Sequence, residues 1–464
     1  MYRQTSSLYQ LLVVTTVILV FFQNCGQEGF NASFLAATDL NSSVATIDNG
    51  TSLQEALSAS TLVSAVLPPL PGKTYFVAPN GVDTNNTSGS IAKPFKTFKN
   101  AISRMKAGDT LLIRGGTYTE QLDFQSPVRK TGTASAWIRV AGYQSEKVTI
   151  RFADSIEYGY GPIRVRGASA YFLFENLILD GTNGSYSSGW QIRDGNHHFT
   201  LRNLEFKNFK TSGLMIKASN IQIINCKIHD STVDTRQSPP SRRYGIYASF
   251  GSNILIEGSE IYNQPGGGIV IYPGPLHNVI VRNNIIHHNN DMKTSANPGI
   301  QIWASVLKDV PGSGVIDGTQ VYNNVVYSNG VNQPAGSAQG GGIEVTNGGS
   351  SNTKIWNNTI YGNRGYGIRL FAGTLGPSKN TVVQNNIVYG NTATQIINNG
   401  VNSTIDHNLT TNPLFVNASA RNFRLTAASP AVNKGRSISS VKTDITGTAR
   451  PKSGYFDIGA YESF

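Results

Sequence analysis

The sequence is poor in charged residues and in the residue types that long helices require. Only 14% of its 464 residues are Asp, Glu, Lys or Arg, whereas helical proteins depend on Glu, Lys, Leu and Ala. Glycine is abundant instead, with 48 residues, and Gly and Asn adopt positive φ angles at little cost. This composition argues against an all-α protein and is typical of short strands joined by tight turns.

Cysteine is nearly absent, with only Cys25 and Cys226 in the chain. There is no CxxC pair for zinc and no set of cysteines for a disulfide framework, and we interpret Cys226 as a small buried hydrophobe. The net charge of +11 favours a polyanionic partner. Because no Lys/Arg-rich run or aromatic nucleic-acid motif accompanies this charge, we expect an acidic polysaccharide as partner and no nucleic acid.

The apolar run Leu11–Phe22 is 12 residues long, which is too short to cross a bilayer but suits the hydrophobic part of a signal peptide. It leads into FQNC (22–25), which resembles a bacterial lipobox, although Phe and Asn stand where Leu and a small residue are usual. We therefore predict that residues 1–25 are a lipoprotein-type signal peptide ending at the lipidated Cys25. An ordinary signal peptide cut nearby is the alternative.

Residues 26–72 are rich in Ser, Thr, Ala and Asn and end in PPLPG. This composition predicts a flexible tether between a membrane and the folded domain, with a partly ordered cap as the alternative. Leader and tether together predict an exported protein, either an outer membrane lipoprotein or one at the cell surface. A secreted or periplasmic protein is the alternative.

The folded domain is expected at residues 73–464. Near its start, Pro94 suits the first turn of a helix, and Phe98, Ile102 and Met105 follow at helical spacing. A domain built from stacked coils must cover its open end, where backbone and core are exposed. The pattern therefore predicts a short N-terminal capping helix.

From about residue 160 the chain repeats a unit such as VRNNIIHH (281–288), at intervals of 22 to 40 residues. The short intervals fit one bare coil and the long ones a coil with a loop. Repetition with period-two alternation predicts an all-β solenoid, clearest at 160–410 and followed by a C-terminal segment at 411–464. An Asn ladder is expected at one turn. Its positions are Asn176, Asn203, Asn225, Gly258, Asn283, Asn323, Asn357 and Asn385.

A second element, Gly-apolar-x-apolar-x, occurs in each coil, as in GIQIW (299–303). Period two turns the apolar residues inward and the x residues outward, and the stacked strands give an exposed face about 35 Å long. Cations on this face suit carboxylates, and aromatic rings suit pyranose faces. The predicted substrate-binding residues are Arg164, Arg166, Arg193, Tyr247, Tyr272, Trp303, Arg369 and Phe371.

The coils, the segment from YFVAPNG (75–81) to LLIRGGTY (111–118), and the end from NPLFV (412–416) to DIGAYES (457–463) resemble the pectate lyase-like right-handed β-helix superfamily. The resemblance implies a single-stranded, right-handed parallel β-helix with three strands in each coil. The Gly-apolar-x-apolar-x elements would be the first strands, and their outward face the floor of a substrate groove. Loops after the third strands would wall it.

The resemblance also implies β-elimination on an acidic polysaccharide. Such a lyase must neutralise the uronate carboxylate, with Ca²⁺ or Arg, and a base must take the neighbouring proton. Loop 230–243, next to Lys217 and Tyr247, is the densest charged cluster of the repeats. The predicted roles are Lys217 as the base, Arg242, Arg243 or Arg193 as carboxylate clamps, and Asp230 with Asp234 as Ca²⁺ ligands.

Several family signatures are absent from the sequence. The WIDH and RxPxxR elements of lyases are missing, as are the DPHD element of mannuronan epimerases and the NTD, DD, GHG and RIK elements of polygalacturonases. The absence of the polygalacturonase elements argues against hydrolysis by paired carboxylates. The missing signatures together leave a non-catalytic glycan-binding or envelope structural and adhesion protein as the alternative. We expect a monomer in either case.

Overall fold

A computed structural model of the chain describes residues 70–463 except for 126–127, 152–160, 183–187, 194, 233–243, 291–296, 309 and 334–339. The described residues belong to the unit Leu57–Phe464. The predicted leader, Cys25 and nearly all of the predicted tether lie outside them. None of the helices that the structure describes is long and apolar enough to cross a membrane.

Three strands recur in each coil, and each strand pairs in parallel with its counterparts in the neighbouring coils. This arrangement produces three stacks, which we call the first, second and third stacks in the order in which the chain passes through a coil. Frequent turns allow three strands in each coil, although one coil spans only about two dozen residues. The predicted all-β, right-handed parallel β-helix is confirmed.

The first stack contains the Gly-apolar-x-apolar-x elements. Its strands are Trp190–Ile192, Leu214–Lys217, the start of Ile246–Glu257, Ile269–Ile271, Pro298–Trp303, Gly340–Thr346, Gly365–Gly373 and Ile396–Asn398. A separate parallel pair, Leu122–Asp123 and Ile163–Arg164, precedes them. A short pairing at the other end joins Gly376–Pro377 to the end of Gly365–Gly373.

The second stack runs the whole length of the domain. Its strands are Thr74–Val77, Thr110–Ile113, Ile138–Gly142, Ala170–Glu175, His197–Arg202, Ser219–Ile224, the end of Ile246–Glu257, Leu276–Arg282, Ile316–Asp317, Gln320–Tyr322, Ser350–Ser351, Lys354–Trp356, Val382–Gln384 and Thr404–Asp406. The third stack contains Gly116–Tyr118, Val148–Arg151, Ile178–Asp180, Glu205–Lys207, Lys227–His229, Glu260–Tyr262, Ile285–His287, Val325–Tyr327, Thr359–Tyr361 and Ile387–Tyr389.

Alternate residues of every stack fill the interior. Ile246, Ile269 and Ile300 are fully buried on successive first strands, as the period-two pattern requires. Cys226 lies in the same core, and burial raises the pKa of its thiol to about 12. The interpretation of Cys226 as a buried hydrophobe is therefore confirmed.

The Asn ladder lies one residue after the predicted position. The predicted residues do adopt positive φ, but several are exposed and only isolated pairs bond, such as Asn203 Nδ2 to Asn176 Oδ1 at 3.2 Å. The next residue is buried at the turn, where its amide must find partners. The resulting continuous ladder runs through Asn284, Asn324, Asn358, Asn386 and Asn408.

A second buried ladder follows the third stack. Each amide oxygen accepts from the amide of the preceding coil at 2.8 to 2.9 Å, and Gln395 ends the series. Its members are Asn289, Asn329, Asn363, Asn391 and Gln395. These two ladders hold the coils in register at both ends of the third strand.

The predicted capping helix is α1, Phe98–Arg104. Thr97 accepts a hydrogen bond from the Asn100 N–H, and the Glu120 carboxylate accepts from the first two N–H groups of the helix at 2.7 and 2.9 Å. Phe98 and Ile102 are fully buried against the first coils. The helix therefore covers apolar surface at the N-terminal end of the solenoid.

The C-terminal segment 411–463 lies on the outer faces of the second and third stacks. It contains the antiparallel pair Phe415–Asn417 and Asn422–Leu425, and its Phe423 and Phe456 pack among outward aromatic residues of the coils. A fully buried ion pair joins Arg450 Nη1 to Glu462 Oε2 at 2.7 Å. This packing leaves the outward face of the first stack to the loops.

Candidate active site

The outward residues of the first stack lie in register from coil to coil. The row nearer the third stack is Gln191, Met215, Tyr247, Val270, Gln301, Glu344 and Arg369. In the row nearer the second stack, Lys217 pairs with Phe250, and farther along Trp303 pairs with Thr346 and Thr346 with Phe371. Arg193 directly follows the strand Trp190–Ile192 at the start of this row. Successive strands lie about 4.8 Å apart, so these two rows form the floor of a candidate groove.

The N-terminal end of this floor is basic. Arg164 lies 3.3 Å from the Asp123 carboxylate and keeps 28% of its side chain exposed. Arg193 donates to Gln191 Oε1 from Nε and Nη2 at 3.1 and 2.7 Å. Arg166, two residues after Arg164, is half-buried. Four of the predicted cations, Lys217 included, therefore occur at this end of the floor.

Arg129 adds an exposed guanidinium to this end by donating to the Gly167 carbonyl. The sequence did not reveal Arg129 because it lies in an irregular loop before the clear repeats. The partner of Arg164, Asp123, was missed for the same reason. Both belong to coils whose first strands are only two residues long, Leu122–Asp123 and Ile163–Arg164.

A β-bulge changes the floor at Lys217. The pairing shifts between Ile216 and Lys217, so Lys217 lies opposite Phe250 and not opposite Ser249. Ser249 turns inward and is buried, whereas Phe250 takes the outward position. Lys217 Nζ lies 5.4 Å from the ring centre of Phe250, and this contact holds the half-buried amine on the groove floor.

Aromatic rings follow the basic end, as the sequence predicted. The ring centres of Tyr247 and Tyr272 are 6.2 Å apart, and those of Tyr272 and Trp303 are 4.7 Å apart. Burial, with Tyr272 as a smaller contribution, raises the pKa of Tyr247 well above its ordinary value. Tyr247 therefore stays a neutral phenol, and the three rings provide a stacking surface.

The prediction of a continuous exposed face is wrong in the middle coils of the stack. Val270, Gln301, Glu344 and Thr346 are all buried. Glu344 accepts hydrogen bonds from Gln301 Nε2 at 3.1 Å and Thr346 Oγ1 at 2.8 Å, and it forms an ion pair with Arg369. The contacts of Glu344 with Gln301 and Arg369 were hidden in the sequence because they join different coils.

Arg369 was predicted to bind substrate, but its charge is already matched. Its Nε donates to Glu344 Oε2 at 2.6 Å, and its guanidinium carbon lies 4.6 Å from the ring centre of Phe371. Phe371 is 37% exposed. At this end the groove therefore offers an aromatic ring and an internally neutralised ion pair.

Asp230 does not fit a calcium site in the described part of the chain. Its Oδ1 accepts from Asn263 Nδ2 at 2.9 Å, and its Oδ2 lies 2.8 Å from His229 Nδ1. Burial opposes ionisation, but these two contacts outweigh it and lower the pKa of Asp230. Among the described residues no three His, Cys, Asp or Glu side chains form a group that could hold a metal, whereas Ca²⁺ requires about six to eight oxygen ligands.

Asp230 thus contributes to the third stack and shares no recorded contact with Lys217. The two predicted clamps, Arg242 and Arg243, and the second predicted metal ligand, Asp234, lie in loop 233–243, outside the described residues. The structure brings together Arg164, Arg166, Arg193 and Lys217 with the aromatic rings. This assembly offers guanidinium groups, one amine and aromatic ring faces along the first stack.

The chain matches two described protein families. Residues 75–239 match the family described as Pel9A-like, right handed beta helix region. Residues 161–350 and 241–423 match the family described as right handed beta helix region. Together these matches extend from the first strand of the domain to the beginning of the C-terminal segment.

Curated relatives include two pectate lyases. Pectate lyase PEL9 from Emericella nidulans is 23% identical over 233 residues, which are 46% of this chain and 53% of that protein. Pectate lyase L from Dickeya dadantii is 25% identical over 320 residues, which are 62% of this chain and 72% of that protein. The chain thus matches about half the length of the first relative.

Two solved structures share the fold. The crystal structure of pectate lyase Pel9A has a TM-score of 0.55 and 19% identity, and the match covers 85% of this chain and 97% of that one. A rhamnogalacturonan lyase has a TM-score of 0.52 and 17% identity, with coverage of 82% and 99%. At these identities the comparison establishes the β-helix architecture.

Proposed function

Because this chain belongs to the pectate lyase-like right-handed parallel β-helix superfamily, we propose that it is a polysaccharide lyase that cleaves an acidic polysaccharide in the first-stack groove. One observation carries the proposal: the guanidinium of Arg193, the amine of Lys217 and a row of aromatic rings lie along successive strands of the first stack. The pectate lyases among its relatives support the same reaction class.

In the proposed reaction, Arg166 and Arg193 bind the carboxylate of the uronate at the bond to be cleaved. Their positive charge stabilises the negative charge that develops when the adjacent carbon loses its proton. Lys217, held by Phe250, takes that proton in its neutral form. The electron pair left behind forms a carbon–carbon double bond, the glycosidic carbon–oxygen bond breaks, and the departing oxygen is protonated by water. Calcium is assigned no step.

The aromatic row would hold the neighbouring sugar units. Tyr272 and Trp303 offer ring faces to pyranose units, and their contact at 4.7 Å fixes one ring against the other. These interactions are equally suited to a protein that binds a glycan without cleaving it. A non-catalytic glycan-binding or envelope protein therefore remains the second candidate, supported by the same ring faces.

The assay for the proposal follows the unsaturated product by ultraviolet absorbance, on pectate, alginate and glycosaminoglycans, with and without added Ca²⁺. Lys217→Ala should abolish turnover while leaving binding within a few-fold of the parent protein. Lys207→Ala is the matched control, because Lys207 carries the same charge on the third stack, paired with Glu205 at 2.9 Å. Saturable binding without product on every polyuronate would establish the non-catalytic alternative.

We further propose export and attachment to the outer membrane through a lipid on Cys25, with residues 26–72 as the tether and a monomeric domain. The apolar run and lipobox-like tetrapeptide in the leader support this location. Metabolic labelling with an alkyne fatty acid should modify the parent protein and not a Cys25→Ser variant. Equal labelling of both proteins would refute the assignment of Cys25.

A further inference from the structure

An open cavity of about 550 Å³ lies at the corner between the second and third stacks. Its size is within the range of about 300–1,000 Å³ that small-molecule sites occupy. The candidate groove lies on the first stack, so the two sites are separate. The lining that matters here consists of Asn225, Glu257, Gly258 and Asn283 from the coils, with Arg424 and Tyr461 from the C-terminal segment.

The cavity lies where one coil has no side chain at its turn, and the Asn225 amide leans into that gap. Gly258 has φ 61° and occupies the position that is Asn, with φ between 48° and 58°, in the other aligned coils. A Cβ atom on Gly258 would lie only 2.2 Å from Asn225 Oδ1. On the other side of this gap, Asn283 Oδ1 is buried without a hydrogen-bond partner, and a buried acceptor of this kind requires a donor.

The C-terminal segment covers the same corner in the coils that follow. Asn323 Nδ2 donates to the Thr443 carbonyl at 2.6 Å, and Asn385 Nδ2 donates to the Arg436 carbonyl at 2.7 Å. The turn amides beyond Gly258 are therefore used to bind protein backbone. The cavity opens at the edge of the C-terminal segment, where the turn amides are not covered by its backbone.

Among the described charged residues that line the cavity, the two carboxylates are paired and one cation, Arg424, is not. Glu257 and Glu260 are each paired with a cation of the stacks, at 2.9 and 3.2 Å. The guanidinium carbon of Arg424 lies 5.5 Å from the ring centre of Tyr461, and no ion pair engages Arg424 within the ranges that the structure describes. The lining thus offers a held guanidinium, an aromatic ring, a buried amide oxygen and carboxylate oxygens.

We propose that this cavity is a second carbohydrate site, which binds a uronate unit away from the groove. Arg424 would bind the sugar carboxylate through a charge-assisted hydrogen bond. Asn283 Oδ1 and Glu257 would accept hydrogen bonds from sugar hydroxyls, and Tyr461 would provide a wall for the ring. The site would hold a further part of an acidic polymer whether or not the groove is catalytic.

Calorimetric titration of the full chain with trigalacturonate tests this proposal, with the neutral trisaccharide galactotriose as the second probe. Gly258→Asn should remove one class of sites, because an Asn side chain would fill the gap. Asn suits the left-handed backbone there, and rotation of the exposed Asn225 amide relieves its 2.2 Å contact with the new Cβ, so thermal stability should be retained. Arg424→Gln should weaken trigalacturonate binding about tenfold and leave galactotriose unaffected.

Arg436→Gln is the matched control for charge, since Arg436 is 63% exposed elsewhere on the same segment. The Trp303→Ala variant identifies which class of binding sites belongs to the groove, and this class should persist in Gly258→Asn. Isotherms of Gly258→Asn and Arg424→Gln that superimpose on the parent would overturn the proposal, as would the absence of any second class at millimolar trigalacturonate. Equal loss of both trisaccharides in Arg424→Gln would overturn the uronate assignment. Every titration uses Lys217→Ala as the background, so that cleavage of trigalacturonate contributes no heat and failure of the groove proposal is distinguishable.

Discussion

Replacing Asn358 with Ala tests how much the buried Asn ladder stabilises the fold. Asn358 is fully buried, and its Oδ1 accepts from the Asn324 backbone N–H at 3.0 Å while its Nδ2 donates to the Val321 carbonyl at 2.9 Å. The substitution leaves this N–H and this carbonyl without their side-chain partner. At about 2 kcal/mol for each buried polar group left without a partner, the expected loss of unfolding free energy is about 4 kcal/mol.

Urea denaturation followed by circular dichroism measures the global effect. Because coils interact mainly with their neighbours, hydrogen exchange should also show a local effect, with faster exchange in peptides that contain Asn324. Asn399→Ala is the control, since Asn399 is exposed and lies outside both ladders. If Asn358→Ala shifts the urea midpoint no more than Asn399→Ala and exchange at Asn324 is unchanged, the ladder does not stabilise the coils as argued.

Three further predictions concern other buried polar groups. Glu344→Gln should lower the unfolding free energy by about 3 kcal/mol in urea titrations, because it leaves the charge of Arg369 without its partner; an unchanged midpoint would contradict this. Burial opposes ionisation of Asp180, but hydrogen bonds from Asn208 and Thr182 outweigh it and lower its pKa below the ordinary 3.8. The stabilisation by ionised Asp180 is therefore complete above pH 3.8 and lost as the pH falls through the lowered pKa. The Asp180→Asn variant should be less stable at pH 7, and its unfolding free energy should fall less steeply as the pH is lowered. Parallel stability–pH profiles of the two proteins would refute this. Iodoacetamide at neutral pH should modify Cys226 only after denaturation, because burial keeps its thiol protonated; labelling of the folded protein, read by mass spectrometry, would show that it opens.

The repeats and the cap could be predicted from the sequence because their signals are local. Period-two alternation within one coil placed the inward Ile300 and the outward Trp303 correctly, and helical spacing placed Phe98 and Ile102 on the buried face of α1. The ladder was predicted one residue early. The pattern marks the positive-φ turn residue, whereas burial selects the next side chain, Asn358 in its coil.

The site was harder to predict because its contacts join distant coils. The bulge that buries Ser249 depends on how Ile246–Glu257 passes from one stack to the next. The Glu344–Arg369 pair joins two coils that are 25 residues apart, and neither residue has a sequence signal that marks its partner. The identity of the outward residues could be read from the sequence, but their exposure depends on loops and packing that a repeat pattern does not contain.

The buried Asn ladder also makes the coils interchangeable. Each Asn accepts from the coil before it and donates to the coil after it, so a duplicated coil inserted between those of Asn324 and Asn358 would find both partners in place. The gene could therefore lengthen or shorten the protein by whole coils without new side-chain chemistry. Insertion of part of a coil would move every later Asn off the turn. Duplication of complete repeats is thus the route by which such a chain can change the length of its first-stack face.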